Sequence, residues 1–249
     1  MISIHRDDHE NLQKTLQSMS TQQALDVEFI VVDGSKDPNR TTVICEEFFG
    51  ASVKVVLANP QGIYSAMNTG LEYAKGQYVS FLNAGDTLHS GQVLNRLKVF
   101  ASGKNQDWIY GNVQLIDSHG RKRLAPKFNY DREREHNFRS GRFPMQPGSL
   151  VKTELIRSLG GFDSSLKVAA DYKVILGLSK VVSPSYFDDV VVDFTLGGTS
   201  SKRWISAYIE AHRARSEVFS FSRLDRIRDL LLSIPLYIKA FGSRILGRV

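Results

Sequence analysis

The chain carries one cysteine in 249 residues, at position 45. That excludes an intramolecular disulfide and any cysteine-rich zinc site. Cys45 closes a Val-Ile-Cys run, the setting of a small buried hydrophobe in a reducing compartment. Long hydrophobic runs are missing too. No uncharged apolar stretch approaches the ~18 residues that cross a bilayer. A secretory leader is not expected, because the N-terminus turns charged at His5-Arg6. The histidines at 5, 9, 89, 119, 136 and 212 show no metal-ligand spacing. His5 and His9 stand four apart, which suits zinc only if both are helical, and His5 is expected to end a strand. Serine-hydrolase and P-loop signatures are absent, as are internal repeats and low-complexity linkers.

What is present is an ordinary globular composition, 42% hydrophobic and 23% charged. The length fits one large domain, or one domain with an appendage, and buries a full core. The net charge is +6, which favours anionic partners. The excess is local. Residues 121–142 hold eight Arg or Lys against three acids, and residues 223–249 hold six against two. Neither segment interleaves its basic residues with aromatics in a nucleic-acid-binding signature, so no nucleic-acid partner is expected.

Short apolar runs alternate with helical spacing through the first two-thirds, which predicts a mainly parallel sheet flanked by helices. Strands are expected at Ile2–Ile4, Glu28–Asp33, Val53–Leu57, Tyr78–Leu82, Trp108–Ile116 and Val190–Thr195. Leu12, Leu16 and Met19 mark one helix. Asp37 is placed to cap another that has Pro38 at its first position. Ile63–Lys75, Thr153–Leu159 and Ala169–Ser179 are further helices, and helical patterns fill the chain after 201. Residues 121–143 lack periodicity and read as a long loop, a feature that is usually functional or mobile. The expected division is a domain over 1–200 and a helical extension over 201–249.

In an open α/β sheet, ligands bind at the carboxyl ends of the strands. Asp33, Asn83 with Asp86, and less clearly Asn112 follow apolar runs there. One carboxylate can bond a base or ribose while another holds a hard cation against phosphate. Asp before Gly is also ordinary turn chemistry, and a helix cap before Thr87-Leu88 is the lesser reading of Asp86.

Three segments in order carry a resemblance: Phe29-Ile-Val-Val-Asp-Gly-Ser-Lys-Asp37, Gly62-Ile-Tyr-Ser-Ala-Met-Asn-Thr-Gly70 and Gly76-Gln-Tyr-Val-Ser-Phe-Leu-Asn-Ala-Gly-Asp86. Together they resemble family 2 glycosyltransferases of the GT-A fold, in the group that builds colanic acid, O-antigen and capsular polysaccharides. The resemblance covers roughly residues 1–200 and implies an α/β nucleotide-diphospho-sugar transferase. It implies that Asp33, with Ser35 in the same turn, contacts the donor nucleotide. Gly62, Asn68 and Asn83 would line that pocket. Asp86 would hold Mn²⁺ or Mg²⁺ on the diphosphate, with Asn83 and Gly85 standing where many relatives carry carboxylates. Ser65 also replaces an acid. Val168-Ala-Ala-Asp-Tyr172 resembles the segment bearing the catalytic base, which makes Asp171 that base; an N-cap Asp is its plainer reading. Gln146, in Pro144-Met-Gln-Pro-Gly-Ser149, would face the acceptor, although Met145 replaces the usual His.

The function implied is an inverting, metal-dependent transfer of a hexose-type sugar to a hydroxyl of a lipid-linked bacterial polysaccharide. The donor would carry UDP, with GDP or dTDP open, and the acceptor would be a glycan or a polyprenyl-pyrophosphate-linked one. The alternative is a catalytically silent scaffold in a polysaccharide-assembly complex. The 121–142 segment reads either as a phosphate-gripping loop or as a solvated surface. Arg223–Val249 mixes Leu230-Leu-Leu, Ile234, Leu236, Tyr237, Ile238, Phe241, Ile245 and Leu246 with Arg and Lys. It resembles an interfacial helix pair kinked at Pro235. An anionic membrane surface is the expected partner, and a cytoplasmic location, peripheral on the inner membrane, follows. A helical appendage packed on the domain or a second subunit is the competing reading.

Overall fold

The structure, a computed structural model, describes residues 1–23, 26–58, 61–103, 106–128, 130–197 and 203–245. The loop residues 59 and 60, the late turn at 198–201 and Leu246 lie outside the described residues. In chain order the elements are β1 (Ile2–His5), α1 (His9–Ser20), β2 (Ile30–Asp33), α2 (Pro38–Phe49), β3 (Lys54–Leu57), α3 (Ile63–Tyr73), β4 (Tyr78–Val79), β5 (Thr87–Leu88) and α4 (Val93–Ser102). Then follow β6 (Trp108–Ile116), β7 (Lys122–Leu124), α5 (Tyr130–Arg139), β8 (Ser149–Lys152), α6 (Thr153–Ser158), α7 (Ala170–Val181), β9 (Ser185–Thr195), α8 (Trp204–Val218) and α9 (Arg223–Ile245).

β1, β2 and β3 form a parallel sheet in that order, with His5 opposite Asp33 and Asp33 opposite Leu57. The free side of β1 is taken by the chain after β4. Ile2 N donates to Ser80 O at 2.9 Å, Leu82 N to Ile2 O at 2.8 Å and Ala84 N to Ile4 O at 3.2 Å. β4 continues into the second sheet, β4-β8-β6-β9-β5, with β7 beside β6. There β6 and β9 run parallel while β8, β7 and β5 pair antiparallel. The parallel order therefore belongs to the N-terminal half and to the β6–β9 pair.

The period of two in a strand explains how one sheet serves two cores. Ile30 and Val32 face Met67 and Leu71 of α3, Phe81, and Tyr172 and Ile175 of α7. Val31 between them faces Leu12, Leu16 and Met19 of α1, and Ile44 and Cys45 of α2. Cys45 is buried and free, with its thiol pushed up to about 12 by burial, which suits a packing residue. The Asp8 and Asp37 side chains cap α1 and α2 by accepting from Asn11 N and Arg40 N.

The 121–143 segment is corrected. It holds β7 and α5, not a long loop. β7 is wholly exposed and shows no alternation, and α5 has two well-buried apolar residues, Tyr130 and Phe138. Their burial comes from packing in the core with Tyr172 and Ala214, which periodicity does not reveal. Arg139 lies 3.6 Å from Asp229 of α9, so part of the basic segment serves the fold. α9 is one helix through Pro235, not a pair. α4, which buries Val93, Leu94 and Leu97, and β5 are additions to the expected elements.

Gly111 sits where the β6–β9 register shifts. A Cβ there would stand 2.4 Å from Val191 Cγ2 and 3.0 Å from Asp189 O. Gly111→Ala should therefore cost about 1–3 kcal/mol through overpacking. Urea unfolding followed by circular dichroism checks this, and an unchanged midpoint would show that the two strands part freely.

Candidate active site

Three strand ends meet where the parallel sheet stops. Asp33 ends β2 and is buried; its Oδ1 accepts Ser35 N at 2.8 Å. Its Oδ2 has no hydrogen-bond partner among the described residues, and neither does either ring nitrogen of His5. His5 Nε2 stands 4.0 Å from Asp33 Oδ1. Burial pushes the His5 pKa down, so the ring is neutral and offers one donor and one acceptor. Unpartnered buried polar atoms cost free energy, and a cluster at strand ends is where a ligand would satisfy them. The sequence reading missed His5 as a site residue. Its signal was the register, which pairs His5 with Asp33 only once β1 and β2 are aligned. Ser35 Oγ accepts Asp7 N at 2.9 Å, which ties the two strand-end loops together.

The third end is the turn from Asn83 to Asp86. Thr15 of α1 organises it: its hydroxyl donates to Asp86 O at 2.7 Å and accepts Gly85 N at 3.0 Å. Gly85 adopts φ +99°, a conformation that glycine takes without strain. Asp86 precedes β5, not a helix, so it caps nothing. Its Oδ1 accepts Thr195 N at 3.1 Å, and burial pushes its pKa up to about 7. Asn83 Oδ1 is buried with no partner among the described residues.

Among the described residues no group of three or more His, Cys, Asp and Glu could hold a metal ion. Two oxygens are nonetheless suited to a hard cation: the buried Asp86 carboxylate, whose charge a cation would relieve, and the unpartnered Asn83 carbonyl. Such a cation completes its shell with water and substrate phosphate. The donor chemistry of these two residues suits Mg²⁺ or Mn²⁺.

Asp171 occupies the first turn of α7, where the helix dipole favours a carboxylate. Its Oδ1 accepts Tyr64 OH at 3.2 Å and Tyr172 N at 2.8 Å, which leaves Oδ2 free of both. Burial pushes this carboxyl up to about 6. Asp171 shares a small cavity, about 20 Å³, with Gln146, Phe81, Ser149 and Phe162. Gln146 Nε2 has no partner among the described residues. The two residues that the resemblance placed near the acceptor are thus brought together.

Asn68 holds a turn in this structure. Its Nδ2 donates to Phe162 O at 2.7 Å and its Oδ1 accepts Phe162 N at 2.7 Å. One hydrogen and one lone pair of the amide remain. Asn68 therefore holds the Gly160-Gly161-Phe162 turn that leads toward Asp171. Gly161 must be glycine there, because its φ is +73° and a Cβ would stand 2.6 Å from Asn68 Oδ1. Gly62 starts α3 at φ +114° and accepts Ala66 N through its carbonyl. Tyr64 then links α3 to Asp171. Asn112 is not at a strand end; it lies inside β6, where its Oδ1 accepts Tyr186 OH at 2.9 Å. Asp193 pairs with His89 Nδ1 at 2.6 Å and Lys122 Nζ at 3.4 Å.

The sequence model described as Glycosyl transferase family 2 matches residues 1–160. The chain belongs to this family. An uncharacterized glycosyltransferase of Mycobacterium tuberculosis is 28% identical over 253 residues, covering 98% of this chain and 86% of the relative. Another, from Rickettsia prowazekii, is 28% identical over 191 residues, covering 73% of this chain; the match spans 58% of the relative's length. Among solved structures, S. aureus TarS 1-349 in complex with UDP-GlcNAc superposes with a TM-score of 0.69 at 18% identity, covering 97% of this chain and 72% of that one. Mannosyltransferase PcManGT from Pyrobaculum calidifontis, in complex with GDP-Man and Mn²⁺, gives 0.66 at 16% identity, covering 98% and 74%. The fold of this family 2 chain is GT-A, as the motifs implied.

The Asp171 environment has a stability signature. A carboxyl raised from 3.8 to about 6 contributes stability below about pH 4 that is lost as pH rises through 6. Asp171→Asn keeps an oxygen for Tyr64 and Tyr172 and removes the half-buried charge. It should be more stable than wild type by about 1–3 kcal/mol at pH 8, with the gain fading toward pH 4. Urea midpoints across pH check this, and a gain independent of pH would contradict it.

Proposed function

We propose that this chain is an inverting glycosyltransferase moving one sugar from a nucleotide-diphosphate sugar to an acceptor hydroxyl, with residues 1–200 as catalytic domain and 201–249 as helical extension. The observation that carries the reading is Asp171. A half-buried carboxyl with Oδ1 tied by Tyr64 OH and Tyr172 N–H, and its pKa raised to about 6, suits a general base. Asp33 Oδ2 and His5 take the base or ribose of the donor. The complexes of TarS with UDP-GlcNAc and of PcManGT with GDP-Man support a nucleotide-sugar donor. Asp86 and Asn83 would hold the cation, which would supply positive charge beside the departing diphosphate.

The transfer is a single displacement. The acceptor oxygen bonds to the anomeric carbon while the bond from that carbon to the diphosphate oxygen breaks. The electron pair leaves with the diphosphate, and the hydroxyl proton passes to Asp171 Oδ2. Tyr64 and Tyr172 N hold Oδ1, so the free oxygen keeps its aim. Gln146 completes the acceptor side.

Titration calorimetry of UDP, UDP-GlcNAc, GDP-mannose and dTDP-glucose, with and without Mn²⁺, tests the donor assignment. Asp86→Ala should weaken metal-dependent binding about tenfold or more, a loss of about 1.4 kcal/mol. Asp171→Asn should bind donor like wild type yet lose about 10²–10⁴-fold in slow donor hydrolysis. A folded wild type that binds no nucleotide would return the chain to the scaffold reading.

The acceptor in this reading is a lipid-linked glycan, and α9 supports it. That helix turns its polar side inward: Asp229 and Ser233 are buried, while Leu224, Leu231 and Ile238 are 79%, 65% and 65% exposed. Arg223, Arg226 and Arg228 are exposed on the same helix. Apolar side chains beside arginines match an anionic lipid surface. Among the described residues no helix is long and apolar enough to cross a membrane, so α9 would lie along it. Deleting α9 would strip Asp229 from the buried Arg215, so substitution is the sounder test. Leu224→Asp with Leu231→Asp should abolish flotation on phosphatidylglycerol vesicles. Wild type that stays unbound but sediments as a dimer would assign the stripe to a second copy.

A further inference from the structure

Asp171 is mounted from behind by a helix that the transfer itself never touches. Three residues of α8 grip the chain on both sides of it. The Glu210 carboxylate accepts three successive backbone N–H groups: Lys167 at 3.1 Å, Val168 at 2.8 Å and Ala169 at 3.0 Å. Five residues on, the buried Arg215 donates through Nη1 to Tyr172 OH and to Phe138 O, both at 3.3 Å. Its Nε and Nη2 donate to Asp229 of α9 at 3.0 and 2.9 Å. Glu217 then accepts Lys173 Nζ at 2.5 Å. The positions held are 167–169, 172 and 173, which bracket residue 171.

The Glu210 contact differs in kind from its neighbours. α7 has no side-chain cap of its own: Ala169, at the cap position, has no oxygen to offer. Consecutive N–H groups turned to one point form an anion-binding nest. Here an acid from another helix fills the nest, two residues before the carboxylate that matters. On α7, Arg215 and Glu217 act on the side chains of Tyr172 and Lys173, whereas Glu210 sets the backbone itself.

We propose that Glu210 is a positioning residue, whose carboxylate in the nest of Lys167, Val168 and Ala169 N–H groups fixes the first turn of α7 and so the aim of Asp171. The proposal rests on the reading of Asp171 as general base. It makes the helical extension part of the catalytic mount: α8 carries the clamp, and α9 holds α8 through Asp229. The charge of Glu210 also faces Asp171, which lowers the carboxyl's readiness to ionise. The other titratable side chain bonded to Asp171 is that of Tyr64 of α3, while Tyr172 of α7 lends its backbone N–H and turns its phenol to Phe138 O and Arg215. Both tyrosines are pushed well above the ordinary phenol range by burial and stay neutral. Glu210 is therefore the charged neighbour whose removal the Asp171 titration would report.

The test uses the full chain, with Glu210→Gln as the variant. Gln keeps the length but offers one acceptor oxygen where three donors wait. The first readout is hydrolysis of UDP-GlcNAc or GDP-mannose, whichever wild type binds. The second is the carboxyl ¹³C titration of Asp171, assigned by its loss in Asp171→Asn. Glu210→Gln should lower kcat tenfold or more at unchanged donor KM, and move the Asp171 midpoint to lower pH. Unchanged kcat together with an unchanged midpoint would overturn the proposal. Wild-type hydrolysis by Asp171→Asn would instead remove the base reading, while the Asp171 midpoint in Glu210→Gln still decides the clamp. Should Glu210→Gln fail to fold, hydrogen exchange on wild type replaces it. Lys167, Val168 and Ala169 amides as protected as those inside α7 support the nest, and rapid exchange there overturns it.

Discussion

Everything at the ends of the parallel strands depends on β1 being paired on both sides. β2 bonds to one edge, and the chain from Ser80 to Ala84 bonds to the other, so three strand ends finish at one level. Each end delivers a polar group directly from rigid backbone: His5, Asp33, and Asn83 with Asp86. Burial of the strands makes those groups costly unless something pairs with them. The same burial drives His5 neutral and holds the Asp86 carboxyl near neutrality. Site and core are thus products of one constraint. A strand that must be apolar on both faces can carry chemistry only where it stops.

The surroundings of Asp171 obey a different logic. Asp171 is held by side chains from α3 and by helices that come late in the chain. Tyr64 reaches its oxygen, Asn68 pins the turn before it, and α8 grips the backbone around it. Buried polar networks of this kind stabilise little on balance, since desolvation offsets much of the gain, but breaking one costs several kcal/mol. Their benefit is a single geometry. The Arg215–Asp229 pair shows this best: a fully buried guanidinium also bonds Phe138 O and Tyr172 OH. It locks α5, α7, α8 and α9 to one another beside Asp171.

Much of the first two-thirds was legible because its signals are local. Apolar runs of strand length, Asp37 before Pro38, and Gly76 after a helical pattern can all be read within a few residues. The Asp33 and Asn83–Asp86 positions followed from strand ends, and their order from family resemblance. What escaped depends on partners far away in the chain. α5 is so polar that its two buried aromatics look incidental until Tyr172 and α8 are in place. His5 gains meaning from its register against Asp33. Both ends of the Asn68 amide bond a turn 94 residues on, which its local sequence does not announce.

The sequence by itself determined the family, the alternation that builds the sheet, and the few acids able to do chemistry. Those are properties of residue type and short spacing, set by backbone geometry and by the rarity of buried carboxylates. The tertiary structure alone decided which side chains share an atom. It joined Asp171 to Tyr64, Asn68 to Phe162 and Glu210 to the amides before α7. Such pairings depend on closing loops of forty to more than a hundred residues, and no local preference encodes the outcome. The physical reason is that burial, which sets proton affinity and fixes aim, exists only after those loops have closed.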